Sequence, residues 1–468
     1  MQEKLCLYYT NDLHSNFSQW PRVAGYLKEA KASKAREQAS CLLMDVGDHV
    51  DRVHPIAEAF MGKANVQLMN DVGYDVVTLG NNEGITLGHE DLYHLYDDAD
   101  FQVVCANLHD MAEKEPDWLK PVVYFRSVNG VRIGVIGLTA PFNNYYELLQ
   151  WHVSNPFKAL EKYIKSVKEA ADIVILLSHL GISEDQAIAR RFSEIDVIIG
   201  GHTHHLLRTG ENVNNTIITA AGKHCTFVGE VILTWDHQAK KLVHKEAYTT
   251  DITHLAKDSE TEKMLQQLYK KANNLLGQTV VHLHQTIEVK WFQETAIMRK
   301  LTDTMKMWTK ADCAMLNSGL LLDELSKGDV TYKDIHRICP HPINPCVVEL
   351  TGDELTEVVR ASFTKDLMEL KLKGFGFRGE VIGRMVFSGL AIATTVLTDG
   401  RESVKNVFFQ GEPLDPDRIY SVAVADTFTF GRLLPEIAKS ETKQYFLPEF
   451  LRDLLAYTLR NDFDGKAD

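Results

Sequence analysis

The stretch "DVIIGGHTHH", residues 196–205, sets a β-branched apolar run against two glycines and three histidines. Such a run reads as a buried strand, and it stops where Gly200 and Gly201 let other backbone come close. Three histidines within four positions are costly to bury idle. His202 and His204 are spaced i, i+2, which in an extended backbone puts both side chains on one face.

Four more strand-like runs end in side chains of the same kind. They are "TNDLHSN" with Asp12 and His14, "DVGDHVD" with Asp48, "LGNNEG" with Asn81, and "LLSHLG" with His179. Taken singly, each has an ordinary reading: a capping aspartate, a turn, a surface histidine. Taken as a set, with Asp12-Leu13-His14 repeating the i, i+2 spacing, they describe strands whose C-terminal ends converge on one sheet edge. Carboxylate, imidazole and amide oxygen together suit Mn²⁺, Zn²⁺ or Fe better than Ca²⁺ or a thiolate site. There are too many ligands for one ion.

The first half of the chain alternates β-branched runs with helical patterns such as Pro21–Ala35 and Pro156–Ala171, the signature of a layered α/β domain. Residues 258–276 form one amphipathic helical pattern, with Asp258 or Ser259 as cap and Gly277 as stop, and read as a linker. Beyond it, helices are expected over Glu294–Thr309 and Gly352–Leu372, and strands in "CVVELT", "VFSGLAIATTV" and "YSVAVAD".

The 468 residues leave room for two or three domains, and 45% apolar with 24% charged residues reads as an ordinary soluble protein. A formal charge of −14 argues against a nucleic-acid polymer or an anionic membrane as partner, since either needs a basic face. No apolar run approaches membrane-span length, no secretory signal precedes "LCLYYTND", and the seven cysteines are scattered and odd in number. The expectation is a cytoplasmic protein with buried, reduced thiols. Oligomeric state is not legible.

Asp12-x-His14, Gly47-Asp48, Gly80-Asn81, His179 and Gly201-His202-x-His204 resemble the signature of the calcineurin-like metallophosphoesterases. The two-domain layout resembles the 5′-nucleotidase, UDP-sugar hydrolase and 2′,3′-cyclic-nucleotide phosphodiesterase family. Asn317-Ser318-Gly319, "VVELTGDEL" at 347–355, "VFSGL" at 386–390 and "YSVAVADTF" at 420–428 extend the likeness over nearly the whole chain. The resemblance implies a four-layer αββα catalytic domain over residues 1–255, a linker helix over 256–277, and an α/β C-terminal substrate-recognition domain over 278–468.

It further implies two divalent ions, Mn²⁺ or Zn²⁺, one held by Asp12, His14, Asp48 and His204. The other would be held by Asp48, Asn81, His179 and His202, with Asp48 bridging. Two ions roughly 3.5–4 Å apart acidify water and clamp phosphoryl oxygens during in-line displacement. The implied partner is a small phosphorylated, nucleotide-like substrate.

Here the chain departs from the pattern it resembles. In a run like G-N-H-E-[FW]-D, the histidine after the metal-binding asparagine stabilises the transition state and the aspartate orients it. This chain has Asn82 and Ile85 instead. An amide can donate a neutral hydrogen bond to a phosphoryl oxygen but cannot deliver a proton. Loss of a general acid typically costs on the order of 10²–10⁴ in rate, most heavily for poor leaving groups. Asn82 and Asp48 are thus the residues expected to carry the chemistry. His49, His54 and His89 are near in sequence and offer replacements, although each alone reads as a surface histidine.

The second half departs too. Leu322 in "NSGLLLDE" stands at about the position of a substrate-gripping arginine, "HPIN" at 341–344 lacks an aromatic, and only "FTFGR" remains of a glycine-rich loop. Asn317 and Phe428 still match the family's substrate residues, Phe428 reading equally as core. "KGFGFRGEVIGR" at 373–384 offers Phe375, Phe377, Arg378 and Arg384 as a replacement grip, or is a plain surface loop. Three readings stay open: a phosphoesterase for small metabolites, a cyclic phosphodiesterase or nucleotide-sugar pyrophosphatase, and a metal-bearing nucleotide-binding protein whose catalysis has decayed.

Overall fold

Strand Ile173–His179 shows how the first half is layered. Ile173, Ile175 and Leu177 point into one apolar cluster, whereas Val174 and Leu176 point into another, as the two-residue period of a strand buried on both faces requires. The computed structural model describes residues 1–463 apart from positions 113, 373, 375, 397–401 and 432. The chain divides between Ala272 and Asn273 into two compact units. The helix Ser259–Leu275 runs across the division.

The first unit holds a seven-stranded and a six-stranded sheet. In the former, Gln2–Thr10 and Ser40–Asp45 lie centrally and pair in parallel, and the short strand Val76–Val77 continues the parallel run. In the latter, Arg132–Thr139, Ile173–His179, Val197–Gly200 and Thr216–Thr219 are parallel neighbours. Leu5, Leu7, Tyr9, Met44 and Val76 from one sheet meet Ile133, Ile175, Val197 and Ile199 from the other in a single core. Burying each such aliphatic side chain contributes about 1.5–3 kcal/mol. Helix Pro156–Ala170 covers the outer face of the six-stranded sheet through Leu160, Ile164 and Val167, and helix Trp20–Arg36 packs against Ser40–Asp45 of the other. The result is helix, sheet, sheet, helix: the αββα order.

The register decides where chemistry can gather. Thr10 pairs with Asp45, Asp45 with Val77, Ser178 with Gly200 and His179 with Thr139, so these parallel strands end level with one another. The loops that leave them share one edge.

The second unit is built on a five-stranded sheet in the order Met385–Ser388, Cys313–Asn317, Ile419–Ala425, Pro345–Thr351, Lys443–Tyr445. Two expectations need correction here. The helical run 352–372 is broken: helix Gly352–Ser362 ends, and a short helix Lys365–Met368 begins with Thr364 accepting from the Leu367 amide. Ser362 and Thr364 turn their hydroxyls back onto Val358 O and Ala361 O, the local competition that makes such residues poor helix interiors. The run 386–396 is two strands in different sheets, divided at Gly389, whose φ of +80° and 2.6 Å approach of an added Cβ to Asp312 O both demand glycine. Among the described residues, no helix is long and apolar enough to cross a membrane.

Candidate metal centre

Asp12 leaves strand Gln2–Thr10 in a turn, and its backbone amide donates to Gly47 O at 3.0 Å. That bond ties the first loop to the second. His14 N donates to Asp48 O at 2.8 Å and continues the tie. Asp12, His14, Asp48, His202 and His204 all adopt positive φ, between +50° and +71°. Left-handed backbone at non-glycine residues is uncommon, and each instance costs on the order of 1–3 kcal/mol. The i, i+2 convergence read from an extended strand is therefore produced otherwise: both pairs sit in left-handed loops beyond the strand ends. Gly47 and Gly80 let the two loops meet, since an added Cβ would lie 2.0 Å from Gly80 N at the first and 2.1 Å from Asp48 Oδ1 at the second.

The side chains converge in two groups. Ligand atoms of Asp12, His14 and His204 lie within 4.8 Å of one another, as do those of Asp12, Asp48 and His179. His14 Nε2 stands 3.1 Å from His204 Nε2, 3.8 Å from Asp12 Oδ1 and 3.7 Å from Asp48 Oδ2. His179 Nε2 stands 3.4 Å from Asp48 Oδ1, while its Nδ1 faces Val46 O at 2.8 Å. His202 donates its backbone amide to Asp12, and its ring lies 5.3 Å from that of His179 and 5.8 Å from Phe142. Asn81 follows Gly80, and its Nδ2 reaches Asn82 Oδ1 at 3.3 Å.

Two buried atoms here, His179 Nε2 and Asn81 Oδ1, have no hydrogen-bond partner among the described residues. Orphaned lone pairs are costly in a protein interior and natural at a cation site. The electrostatics agree. Burial alone would depress the His179 imidazolium, yet the carboxylates of Asp48 and Asp12 override it and push it up to about 10. Burial would likewise raise Asp48, but His179 holds it below the usual carboxylate range. His202, half-buried and facing His179, is pushed down to about 4 by desolvation and by the His179 charge. This donor set fits divalent cations.

Sequence reasoning missed the residues that hold the ligands. Buried Glu83 accepts from the amides of Asp48 (3.0 Å), Val50 (2.8 Å) and Gly80 (2.9 Å), and burial with the Asp48 charge pushes it up to about 7. Its trace in the sequence is a carboxylate three residues after Gly80, at the helix start. Asn11 donates to Asp12 Oδ2 at 2.6 Å and anchors on Gly222 O, and Asp51 lies behind His14; neither left a signal.

The three replacement histidines are engaged elsewhere. His49 is buried edge-on to Trp20, with Nδ1 3.1 Å from Asn65 Nδ2, and burial pushes it down to about 3. His54 caps helix Pro55–Phe60, and His89 faces Asp110 Oδ2 at 2.9 Å. Asn82 lies at the centre, with its backbone amide on Asp48 Oδ1 at 2.8 Å and its side chain 3.0 Å from His14 Nδ1.

Asn317, Phe377, Arg378 and Phe428 belong to the second unit. Asn317 Nδ2 donates to Ile382 O at 2.9 Å, Phe377 stacks on His341 at 5.2 Å, and Phe428 is 1% exposed. Arg378 is exposed, its backbone amide on His341 Nδ1 and its guanidinium on Phe377 O. Arg384 pairs with Glu402 at 2.9 Å. Phe375 and Arg432 lie outside the described residues.

Residues 7–206 match the calcineurin-like phosphoesterase family, and residues 275–432 match the 5′-nucleotidase C-terminal domain. The metallophosphoesterase YunD of Bacillus subtilis is 43% identical over 460 residues, covering 98% of this chain and all of its own length. A 5′-nucleotidase of Vibrio cholerae is 24% identical over 485 residues, covering 90% of this chain and 84% of its own. The NAD nucleotidase of Haemophilus influenzae superposes with a TM-score of 0.67 at 16% identity, over 98% of this chain and 96% of its own, and so shares the fold. The chain belongs to the calcineurin-like metallophosphoesterases with a 5′-nucleotidase C-terminal domain, hydrolases of phosphoester bonds.

Proposed function

We propose that the chain is a dinuclear-metal phosphoesterase for a small phosphorylated metabolite, nucleotide-like, whose leaving group is already acidic. The observation that carries this reading is the convergence of Asp12, His14, Asp48, His179 and His204 beside the orphaned Asn81 Oδ1. Asp12, His14, Asp48 and His204 hold one ion in this reading. Asp48, Asn81, His179 and His202 hold the other, with Asp48 shared and Mn²⁺ or Zn²⁺ as the metals. When bound, such a pair supplies Lewis-acid stabilisation of phosphoryl charge and acidifies water.

The protein's own residues position. Val46 O orients His179, Glu83 fixes the turn that presents Asp48, and the Asn82 amide donates a neutral hydrogen bond to a phosphoryl oxygen. With His49, His54 and His89 engaged, no imidazole among them is at hand to protonate an alkoxide. That favours anhydrides and aryl phosphates, and it gives weight to the second reading, a nucleotide-sugar pyrophosphatase. In the C-terminal domain, over 278–468, exposed Arg378 grips the substrate in place of the arginine lost at Leu322. The seven free thiols, six of them buried, support a reducing, cytoplasmic setting.

The test is turnover of an aryl phosphate, nucleoside monophosphates, cyclic nucleotides and nucleoside diphosphate sugars by the Mn²⁺-loaded protein. We expect the aryl phosphate and the anhydrides to lead. Tight nucleotide binding without turnover of any substrate would leave the decayed binding protein as the better reading.

A further inference from the structure

His14 stands between two surroundings. Its Nε2 faces Asp12, Asp48 and His204, whereas its Nδ1 faces Asp51 Oδ2 at 3.5 Å and the side-chain amide of Asn82 at 3.0 Å. A neutral imidazole has one lone pair. If Nε2 gives that pair to a cation, Nδ1 carries the hydrogen and needs an acceptor on its far side.

Asp51 is built to be that acceptor. Its carboxylate is 1% exposed, its Oδ1 is held by the Val53 amide at 3.0 Å, and its own amide is held by Ser15 Oγ at 2.8 Å. Its other oxygen, Oδ2, faces the imidazole. Asn82 completes the arrangement. The two ends of an amide are isosteric, so a half-turn puts Oδ1 where an Nδ1–H can donate to it, giving up the 3.3 Å bond that Oδ1 accepts from Asn81 Nδ2 and turning Nδ2 away from His14. The peptide amide of Asn82 is meanwhile fixed on Asp48 Oδ1 at 2.8 Å, so the side chain starts from an anchored backbone.

We propose that Asp51 and Asn82 form a two-sided rest for Nδ1 of His14, locking the tautomer and ring orientation that present Nε2 to a metal ion. Asp51 is a positioning residue acting through His14, and the second asparagine has a role beyond standing where a histidine would be. A carboxylate behind a ligating imidazole also raises its basicity. This inference rests on the metal reading above and adds which outer residues give one ion its affinity.

The test is a Mn²⁺ titration of the metal-stripped full-length chain by calorimetry, on wild type, Asp51→Asn and Asn82→Ala, with the melting temperature of each metal-free protein. Asp51→Asn keeps an oxygen for the Val53 amide but turns a donor toward His14. We expect wild type to take two ions, and Asp51→Asn to weaken one of them about 10–100-fold while the other stays within about threefold. Asn82→Ala should weaken the same ion by a smaller factor, and the metal-free melting temperatures should stay close together.

Three results would overturn the inference. Both variants could bind both ions as wild type does. Asp51→Asn could weaken both ions equally along with a lower metal-free melting temperature, the mark of a purely structural role. Nitrogen-15 correlation spectra of the Zn²⁺-loaded wild type, assigned with His14→Gln, could put the hydrogen on Nε2. Wild type that binds no Mn²⁺ is a different failure, because it removes the metal reading itself and the inference with it.

Discussion

The strand-end edge of the first unit and the sheet core of the second both carry residues that the family resemblance singles out, but they hold them in opposite ways. At the edge, five of the seven candidate ligand positions bend the backbone into left-handed conformations, and His179 Nε2 and Asn81 Oδ1 are buried with no hydrogen-bond partner among the described residues. In the core, Asn317 is bonded to Ile382 O, Phe377 is stacked on His341, and Phe428 is enclosed. Packing alone accounts for the second arrangement. It does not account for the first, which spends stability on geometry, as functional sites do.

The largest effect that sharpens this contrast is expected at Phe428. Truncation to alanine should cost about 3–5 kcal/mol in denaturant unfolding of the second unit, as for other enclosed aromatic side chains. Phe428→Leu should leave KM for a nucleotide unchanged. A rise in KM without loss of stability would give the residue back to substrate stacking and blur the comparison.

At the edge the balance should invert. Asp48→Ala is expected to lower kcat/KM by roughly 10²–10³, the loss seen when a charge-stabilising group is removed from an active site, and to reduce bound metal below two ions per chain. Full activity with two ions retained would break the comparison at its stronger half.

Arg378→Ala should raise KM about tenfold with kcat little changed, within the value of a charge-assisted hydrogen bond to phosphate. An unchanged KM would return the segment around Arg378 to plain surface.

A pH-dependent effect is expected from Asp185, which burial pushes up to about 8 although Ser178 donates to it. The folded protein holds this proton more tightly than the unfolded chain, so the stabilisation is full below about pH 4 and is lost as pH rises toward 8. Wild type minus Asp185→Asn should therefore show a stability difference falling by up to about 1.4 kcal/mol per pH unit in that window. A flat difference would mean the carboxylate is charged and otherwise compensated.

The candidate ligand residues were legible because metal chemistry restricts such residues to few types at the ends of apolar runs. His202 and His204 after Gly201, and Asp12 with His14, stood out for that reason. The device that gathers them was not legible, since left-handed loops leave no periodicity to read. Glu83 and Asp51 escaped for a related reason: they act across 33–37 residues of chain, on groups that only the folded edge brings near. The break after Ser362 and the division at Gly389 were overridden by local hydroxyl bonding and one close backbone contact, both weaker signals than the hydrophobic pattern around them.

The central claim is that this edge is a working metal centre whose second asparagine limits it to good leaving groups. The ratio of kcat/KM for an aryl phosphate to that for a nucleoside 5′-monophosphate, measured on Mn²⁺-loaded wild type and Asn82→His, tests it directly. We expect a large ratio in wild type and a fall of at least about tenfold in the histidine variant, through a gain on the alkyl ester. Equal ratios in the two proteins would contradict the claim.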